Sequence, residues 1–253
     1  MAVPAAPAFL RLAAHPLRWR LLTELAGGDH RVRELAALVG EPQNLVSYHL
    51  RLLRDAGLVT TTRSAFDGRD TYYHLDLDRC AQALAGVGAA LRPAPVAGSP
   101  PRAPRHRVLF VCTGNSARSP IAEALLRHRA GGRVEVASAG IRPRPRLHPH
   151  AVRVLRDDFG IDVGGRDTRH VDTVAGDPFD HVITLCDRAR EACPDFPGRP
   201  RRAHWSLPDP AAAGDTGRGG YPAFRHAAAA IDTRVGHLLA ALGATPLAKE
   251  TRP

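Results

Sequence analysis

Residues 108–119 read VLFVCTGNSARS, an apolar run that ends in a Cys-x5-Arg-Ser loop and passes into a helix with Pro120 in its first turn. The run from Val108 to Val111 has the composition of a buried strand. Beyond it, Thr113, Gly114, Asn115, Ser116 and Ala117 are mostly small. Successive backbone N–H groups can therefore converge on one point and make a nest for a tetrahedral oxyanion such as phosphate or arsenate. Arg118 closes the nest with a two-pronged guanidinium and completes the oxyanion-binding set. The same amides, the helix N-terminus and the guanidinium favour the thiolate of Cys112, which makes it the candidate nucleophile. Ser119 is placed to hydrogen-bond that sulfur. A plainer reading, a buried cysteine before an ordinary turn, leaves unexplained why nucleophile, small loop, arginine, serine and helix start coincide.

The block CTGNSARSPIAE, starting at Cys112, resembles the active-site loop of the low-molecular-weight protein tyrosine phosphatase superfamily, which includes the thioredoxin-coupled arsenate reductases. The likeness runs from about Arg107 to about Leu242 and implies an α/β doubly wound parallel sheet. In the stretch HWSLPDPA, residues 204–211, the pair Asp209-Pro210 resembles the general-acid loop of the superfamily. Asp209 is then expected to protonate the leaving oxygen, which departs poorly without a proton. Taken alone, Asp-Pro is a turn signal.

The chain has four cysteines, Cys80, Cys112, Cys186 and Cys193. Phosphoester hydrolysis needs only the nucleophile, whereas arsenate reduction consumes two electrons and needs further thiols to carry a disulfide away. The segment ITLCDRAREACP, residues 183–194, resembles the redox pair of the thioredoxin-coupled reductases in the spacing of Cys186 and Cys193. The alternative is that both are small buried hydrophobes. The resemblance implies a relay: Cys112 attacks arsenate, Asp209 assists loss of water, Cys186 attacks the Cys112 adduct, and Cys193 then takes the disulfide outward. Thioredoxin or a low-molecular-weight thiol would be the reductant. Ala211 follows Asp209-Pro210, and the loop after Gly140 is IRPRPRLHP, so no aromatic wall for a phosphotyrosine ring is evident. Against the reductase pattern, Pro120 follows Ser119 as in many phosphatases, and Ala117 stands where many members carry a second loop cysteine. The resemblance also brings a structural potassium ion at Asn115, Glu123 and Ser138, but Arg169 stands where an acidic ligand is expected. Glu123 is expected to pair with Arg127 instead, and no metal and no cofactor are expected.

The first part of the chain reads differently. His15 to Ala26 and Arg31 to Val39 have helical apolar spacing, and after Glu41-Pro42 the periodic stretch QNLVSYHLRLLRDAGLV begins at Gln43. Two short helices joined by a tight turn make a helix-turn-helix. The following TTTRSAFDGRDTYYHL, residues 60–75, has two β-rich runs around Asp67-Gly68, a hairpin that supplies a wing. This order resembles an ArsR-type winged-helix repressor over about Phe9 to Leu91. Gln43, Asn44, Ser47, Tyr48 and Arg51 would meet base edges or phosphates of a double-stranded DNA operator, and Arg63 and Arg69 the backbone or minor groove. The helix before the recognition helix, RVRELAALVG, lacks the cysteine pair with which that family commonly senses arsenite, and Cys80 stands alone. The alanine- and leucine-rich helix from Asp78 to Leu91 would pack against its twin in a homodimer.

Three segments are therefore expected: a winged-helix α+β DNA-binding domain at 1–91, a Pro/Arg-rich linker at 92–106, and an α/β doubly wound catalytic domain at 107–253. The net charge of +10 invites a nucleic-acid reading. However, residues 1–91 carry 10 arginines against 9 acidic groups, so the DNA-binding expectation rests on the order of motifs. No 18-residue apolar span or signal peptide is seen, and thiols used chemically fit a reducing cytoplasmic compartment without membrane contact. The expected function is a cytoplasmic arsenate reductase fused to a DNA-binding regulator. The alternatives are a phosphatase fused to the same regulator, and a regulator whose second domain senses an oxyanion or redox state.

Overall fold

The computed structural model of the chain describes residues 7–64, 66–91, 106–213 and 220–243. It divides into two compact units, Met1–Gly98 and Ser99–Pro253, each with its own apolar core.

The first unit runs α1 (Ala8–Ala13), α2 (Pro16–Gly27), β1 (His30–Arg31), α3 (Val32–Val39), α4 (Gln43–Asp55), β2 (Val59–Arg63), β3 (Thr71–Leu75) and α5 (Leu77–Leu91). Pro16 starts α2 where its missing N–H costs nothing, and the ring nitrogen of His15 accepts the Leu17 N–H at 3.2 Å. Glu34 reaches back to the Arg31 N–H at 2.8 Å, holding the entry to α3. Gly40, at φ 67°, ends that helix in the left-handed region. Leu21, Leu35, Val46, Leu50 and Leu53 are fully buried where α2, α3 and α4 meet. The wing is the antiparallel pair β2–β3, from Val59 opposite Leu75 to Arg63 opposite Thr71. The two-residue strand β1, absent from the sequence expectations along with α1, adds to the other side of β3. Buried Asp29 and His74, 2.8 Å apart, pin β3 to the end of α2, and Arg31 binds Asp70 at 2.6 Å at the turn end of the wing.

The second unit runs β4 (His106–Cys112), α6 (Arg118–Ala130), β5 (Val134–Gly140), α7 (Pro149–Phe159), β6 (His181–Thr184), α8 (Asp187–Ala192), β7 (Arg201–His204) and α9 (Gly220–Ala241). Its four strands are parallel in the order β5-β4-β6-β7, the doubly wound fold. The chain steps from β4 to β5 on one side and then returns to place β6 on the other. The carboxyl end of β4 is thus a topological switch point, where such sheets open a crevice for ligands. Val108, Leu109, Phe110 and Val111 are fully buried, as a strand covered on both faces requires. α6 is buried from Arg118 through Leu126 and packs on β4, β5 and α9.

The expected linker lies almost wholly outside the described residues. Its last expected residue, His106, instead opens β4 and pairs with Val134. β5 begins opposite it, and the strand's backbone groups find partners there that a linker residue would lack.

Candidate active site

Cys112 is the last residue of β4 and is buried, so its sulfur lies at the switch point under the loop 113–117. Ser119 Oγ is 3.0 Å from Cys112 Sγ. The loop is held from outside itself. Asn115, at φ 45°, donates from Nδ2 to Ser119 Oγ at 2.9 Å and to Ser138 Oγ at 3.0 Å, and accepts the Arg169 backbone N–H at 2.7 Å. The strand-to-helix connection after β5 donates backbone N–H groups into the loop: Ile141 to Cys112 O, Arg142 to Thr113 O, Arg144 to Gly114 O and His148 to Ser116 O, at 2.8 to 3.1 Å. A β-carbon on Gly140 would sit 2.8 Å from Asn115 N and 2.9 Å from Thr113 O, so only glycine lets β5 approach this closely.

Arg118, first residue of α6 and 6% exposed, donates from Nη1 to the Leu207 carbonyl at 2.9 Å and sets Nη2 3.3 Å from Asp209 Oδ2. The loop after β7 thereby carries the acid to the guanidinium. Both line a cavity of about 740 Å³ with Cys112, Thr113, Gly114, Ser116 and Ala117. Arg142, Arg144 and Arg146 stand exposed at its rim. Among the described residues its lining holds no Phe, Tyr or Trp, and a cavity charged in this way suits a small polyvalent anion.

Cys186 is the residue before α8, and Thr113 Oγ1 lies 3.2 Å from its buried sulfur. Cys193 is the residue after α8, half-buried, and burial pushes its thiol up to about 11. The structure thus brings Cys112, Arg118, Ser119, Asp209 and Cys186 around one loop and leaves Cys193 one short helix away. No disulfide joins the four thiols.

The residues that match the family's cation positions have other partners. Glu123 Oε1 faces three guanidiniums, Arg127 at 2.6 Å, Arg166 at 3.4 Å and Arg169 at 3.9 Å, while Oε2 accepts the Ser138 hydroxyl at 2.5 Å. The carboxylate is satisfied by positive charge from the chain itself, so these residues do not fit a bound potassium ion. Among the described residues no group of three or more His, Cys, Asp or Glu could hold a metal. The convergence on Glu123 was missed by sequence reasoning beyond the Arg127 pair, as were the Leu207 carbonyl under Arg118 and a buried cluster at Asp187, His204 and Ser206. Each joins residues tens of positions apart, and only the i,i+4 pair leaves a periodic trace in the sequence.

In the first unit, α4 buries Val46, His49, Leu50 and Leu53 and leaves Gln43, Asn44, Tyr48 and Arg51 exposed, with Ser47 half-buried on the same side. Arg63 ends β2 and Arg69 sits in the wing turn, both exposed. Cys80, on α5, packs against the core, and burial raises its thiol to about 11.

A parallel α/β sheet with a Cys-x5-Arg oxyanion loop at its switch point, facing an Asp on a neighbouring loop, defines a thiol-nucleophile enzyme class acting on tetrahedral oxyanions. Residues 107–249 match the family "Low molecular weight phosphotyrosine protein phosphatase", and the chain belongs to it. Residues 15–61 match the bacterial regulatory protein arsR family. An arsenate reductase of Halalkalibacterium halodurans is 34% identical over 128 residues, 51% of this chain and 91% of that protein. One from Bacillus subtilis is 38% identical over 109 residues, 43% of this chain and 77% of that protein. A crystal structure of arsenate reductase from Archaeoglobus fulgidus aligns at 32% identity with a TM-score of 0.43, over 53% of this chain and 98% of that one. All three likenesses concern the second unit.

Proposed function

We propose that the second unit reduces arsenate to arsenite by a three-thiol relay and that the first unit binds DNA, so that one cytoplasmic chain joins arsenic detoxification to transcriptional control. The observation that carries the reading is the Cys186 sulfur 3.2 Å from Thr113 Oγ1 of the nucleophile loop, with Cys193 at the other end of a six-residue helix. A phosphatase has no use for that arrangement.

Arsenate enters the loop amides and meets the Arg118 fork. The Cys112 thiolate attacks arsenic as Asp209 gives a proton to the departing oxygen, which leaves as water. Cys186, as thiolate, then attacks Cys112 Sγ. An S–S bond forms, the S–As bond breaks with its electron pair kept by arsenic, and arsenite leaves. Cys193 attacks Cys186, frees Cys112 and carries the disulfide to a dithiol reductant of the thioredoxin kind. In the first unit, the exposed face of α4 reads a major groove, and Arg63 and Arg69 hold the flanking backbone.

The test is arsenate-dependent NADPH oxidation with thioredoxin and thioredoxin reductase, run on wild type, Cys186→Ser and Cys193→Ser beside phosphoester hydrolysis. Turnover lost in both variants while hydrolysis persists is the expected result. Absence of arsenate turnover with any thiol donor, with hydrolysis indifferent to both substitutions, would make the unit a phosphatase.

A further inference from the structure

β6 and β7 lie side by side with Thr184 opposite His204, and each leads directly into a functional segment: β6 into Cys186, β7 into the loop that carries Asp209. Between these two exits lies a buried polar cluster that makes or breaks no bond in the acid or thiol steps. The carboxylate of Asp187 can only accept. It takes the His204 Nε2–H at 3.1 Å and the Ser206 hydroxyl at 2.7 Å on the same Oδ1. His204 Nδ1 lies 2.8 Å from Thr184 Oγ1. Asp187, His204, Ser206 and Thr184 are 4%, 5%, 6% and 7% exposed. A carboxylate so removed from water is held by its donors, because a buried charge without them is strongly destabilising.

The cluster closes a circuit through the active site. Thr113 of the nucleophile loop touches the Cys186 sulfur, Asp187 follows in the chain, and its carboxylate holds Ser206. The next carbonyl, that of Leu207, accepts Arg118 Nη1 at 2.9 Å. Arg118 has further support from its own helix and from Asp209. Cys186 packs in the common core, and its side chain is tied to the circuit by the Thr113 hydroxyl and, one residue on, by the anchored Asp187.

We propose that Asp187, His204 and Ser206 are positioning residues that hold the Cys186 thiol against the Cys112 adduct and so set the rate of the disulfide-forming step. This rests on the relay reading given above. The step itself balances within the chain: Cys186 and Cys112 supply two electrons, arsenic goes from the pentavalent to the trivalent state, and the Cys112–Cys186 disulfide remains. Hydrolysis of a phosphoester at the same loop uses Cys112, Arg118 and Asp209 without Cys186, so the two reactions separate a positioning role from a merely structural one.

The experiment uses the full-length chain in a Cys193→Ser background, where the disulfide cannot pass onward. Formation of the Cys112–Cys186 disulfide after mixing with arsenate is followed by quenching, alkylation and mass spectrometry, with p-nitrophenyl phosphate hydrolysis measured on the same samples. Ser206→Ala and Asp187→Asn are each expected to slow disulfide formation by about tenfold or more, in keeping with the cost of small misplacements of a reacting group. Hydrolysis should stay within about twofold, which also shows that the variants fold, and Ser206→Thr, which keeps the hydroxyl, should recover most of the rate. Disulfide formation at the parental rate, or a parallel fall in both reactions, overturns the assignment. If the parent hydrolyses phosphoester but forms no disulfide with arsenate, the relay reading falls first and this inference with it.

Discussion

Replacement of Asn115 by alanine tests whether the loop is held from below as its geometry implies. The residue is 2% exposed and makes three side-chain hydrogen bonds, to Ser119 Oγ, to Ser138 Oγ and from the Arg169 N–H. Each is worth about 1 kcal/mol net, and the Arg169 N–H is left without its acceptor. Asn115 also sits at φ 45°, a region that asparagine tolerates and alanine enters at a cost of roughly 1 kcal/mol. Asn115→Ala should therefore destabilise the second unit by about 4 kcal/mol. Asn115→Gly loses the same bonds without the backbone term, so it should be less destabilised by about 1 kcal/mol. The chain has two tryptophans, Trp19 and Trp205, and Trp205 packs on Phe110 in the second core. Urea unfolding followed by fluorescence in a Trp19→Phe background reports on that unit alone. A loss under about 1 kcal/mol for Asn115→Ala would refute the bracing argument. Equal losses for alanine and glycine would refute the backbone part of it.

Arg118→Lys keeps the charge but loses the fork that meets oxyanion, Leu207 carbonyl and Asp209 together, so kcat for both arsenate and phosphoester should fall by about 10² to 10³; steady-state assays check it. Burial raises the thiols of Cys80 and Cys193 to about 11 from an ordinary 9.0. Below pH 9 both states keep these protons; from about 9 to 11 the unfolded chain releases protons that the folded chain retains, so stability falls as pH rises through that window. Urea midpoints across it should show a shallower fall in the second unit for Cys193→Ala and in the first for Cys80→Ala. On an operator fragment, Arg63→Ala should weaken binding alike for all sequences and reduce the salt slope by about 1, whereas Gln43→Ala or Asn44→Ala should relax specificity. Titrations at several salt concentrations distinguish the two outcomes.

The oxyanion loop was legible because its chemistry is packed into consecutive residues: strand, nucleophile, small loop and arginine occupy 108–118, and their spacing survives without tertiary context. The order of helices and strands in the first unit was legible for a similar reason, since α3 and α4 carry apolar residues on one face and β2 and β3 flank a turn. What stayed hidden lies between segments. β1 has only two residues, too few for any alternation, and exists because β3 offers an edge. Glu123 looked like half of a helix pair, yet Arg166 and Arg169 reach it from a loop some forty residues on. Asp187, His204 and Ser206 read as ordinary polar residues beside a cysteine and a tryptophan; only the register of β6 against β7 makes them a cluster.

The same geometry implies an order of events at the outer thiol. Cys193 is held half-buried after α8, its thiol pushed up to about 11, so in this conformation it is a poor nucleophile. The helix has six residues, too few to be stable by itself. It is tied at its start by Asp187 and just beyond its end by Arg202, whose guanidinium donates to the Pro194 carbonyl at 2.7 Å and to Asp195 at 2.8 Å. On the proposed relay, closing the Cys112–Cys186 disulfide would draw the start of α8 toward the loop and load both ties. Loosening α8 would expose Cys193 and return its thiol toward 9.0, making the third thiol reactive only after the second has acted. In the reduced protein at pH 8, alkylation of Cys193 should therefore be about a hundredfold slower than in urea, the ratio of thiolate fractions between a thiol held up to about 11 by burial and one at 9.0. Equal labelling rates in the folded and unfolded chain would show that Cys193 is already free to react, and that opening of α8 does not gate the relay.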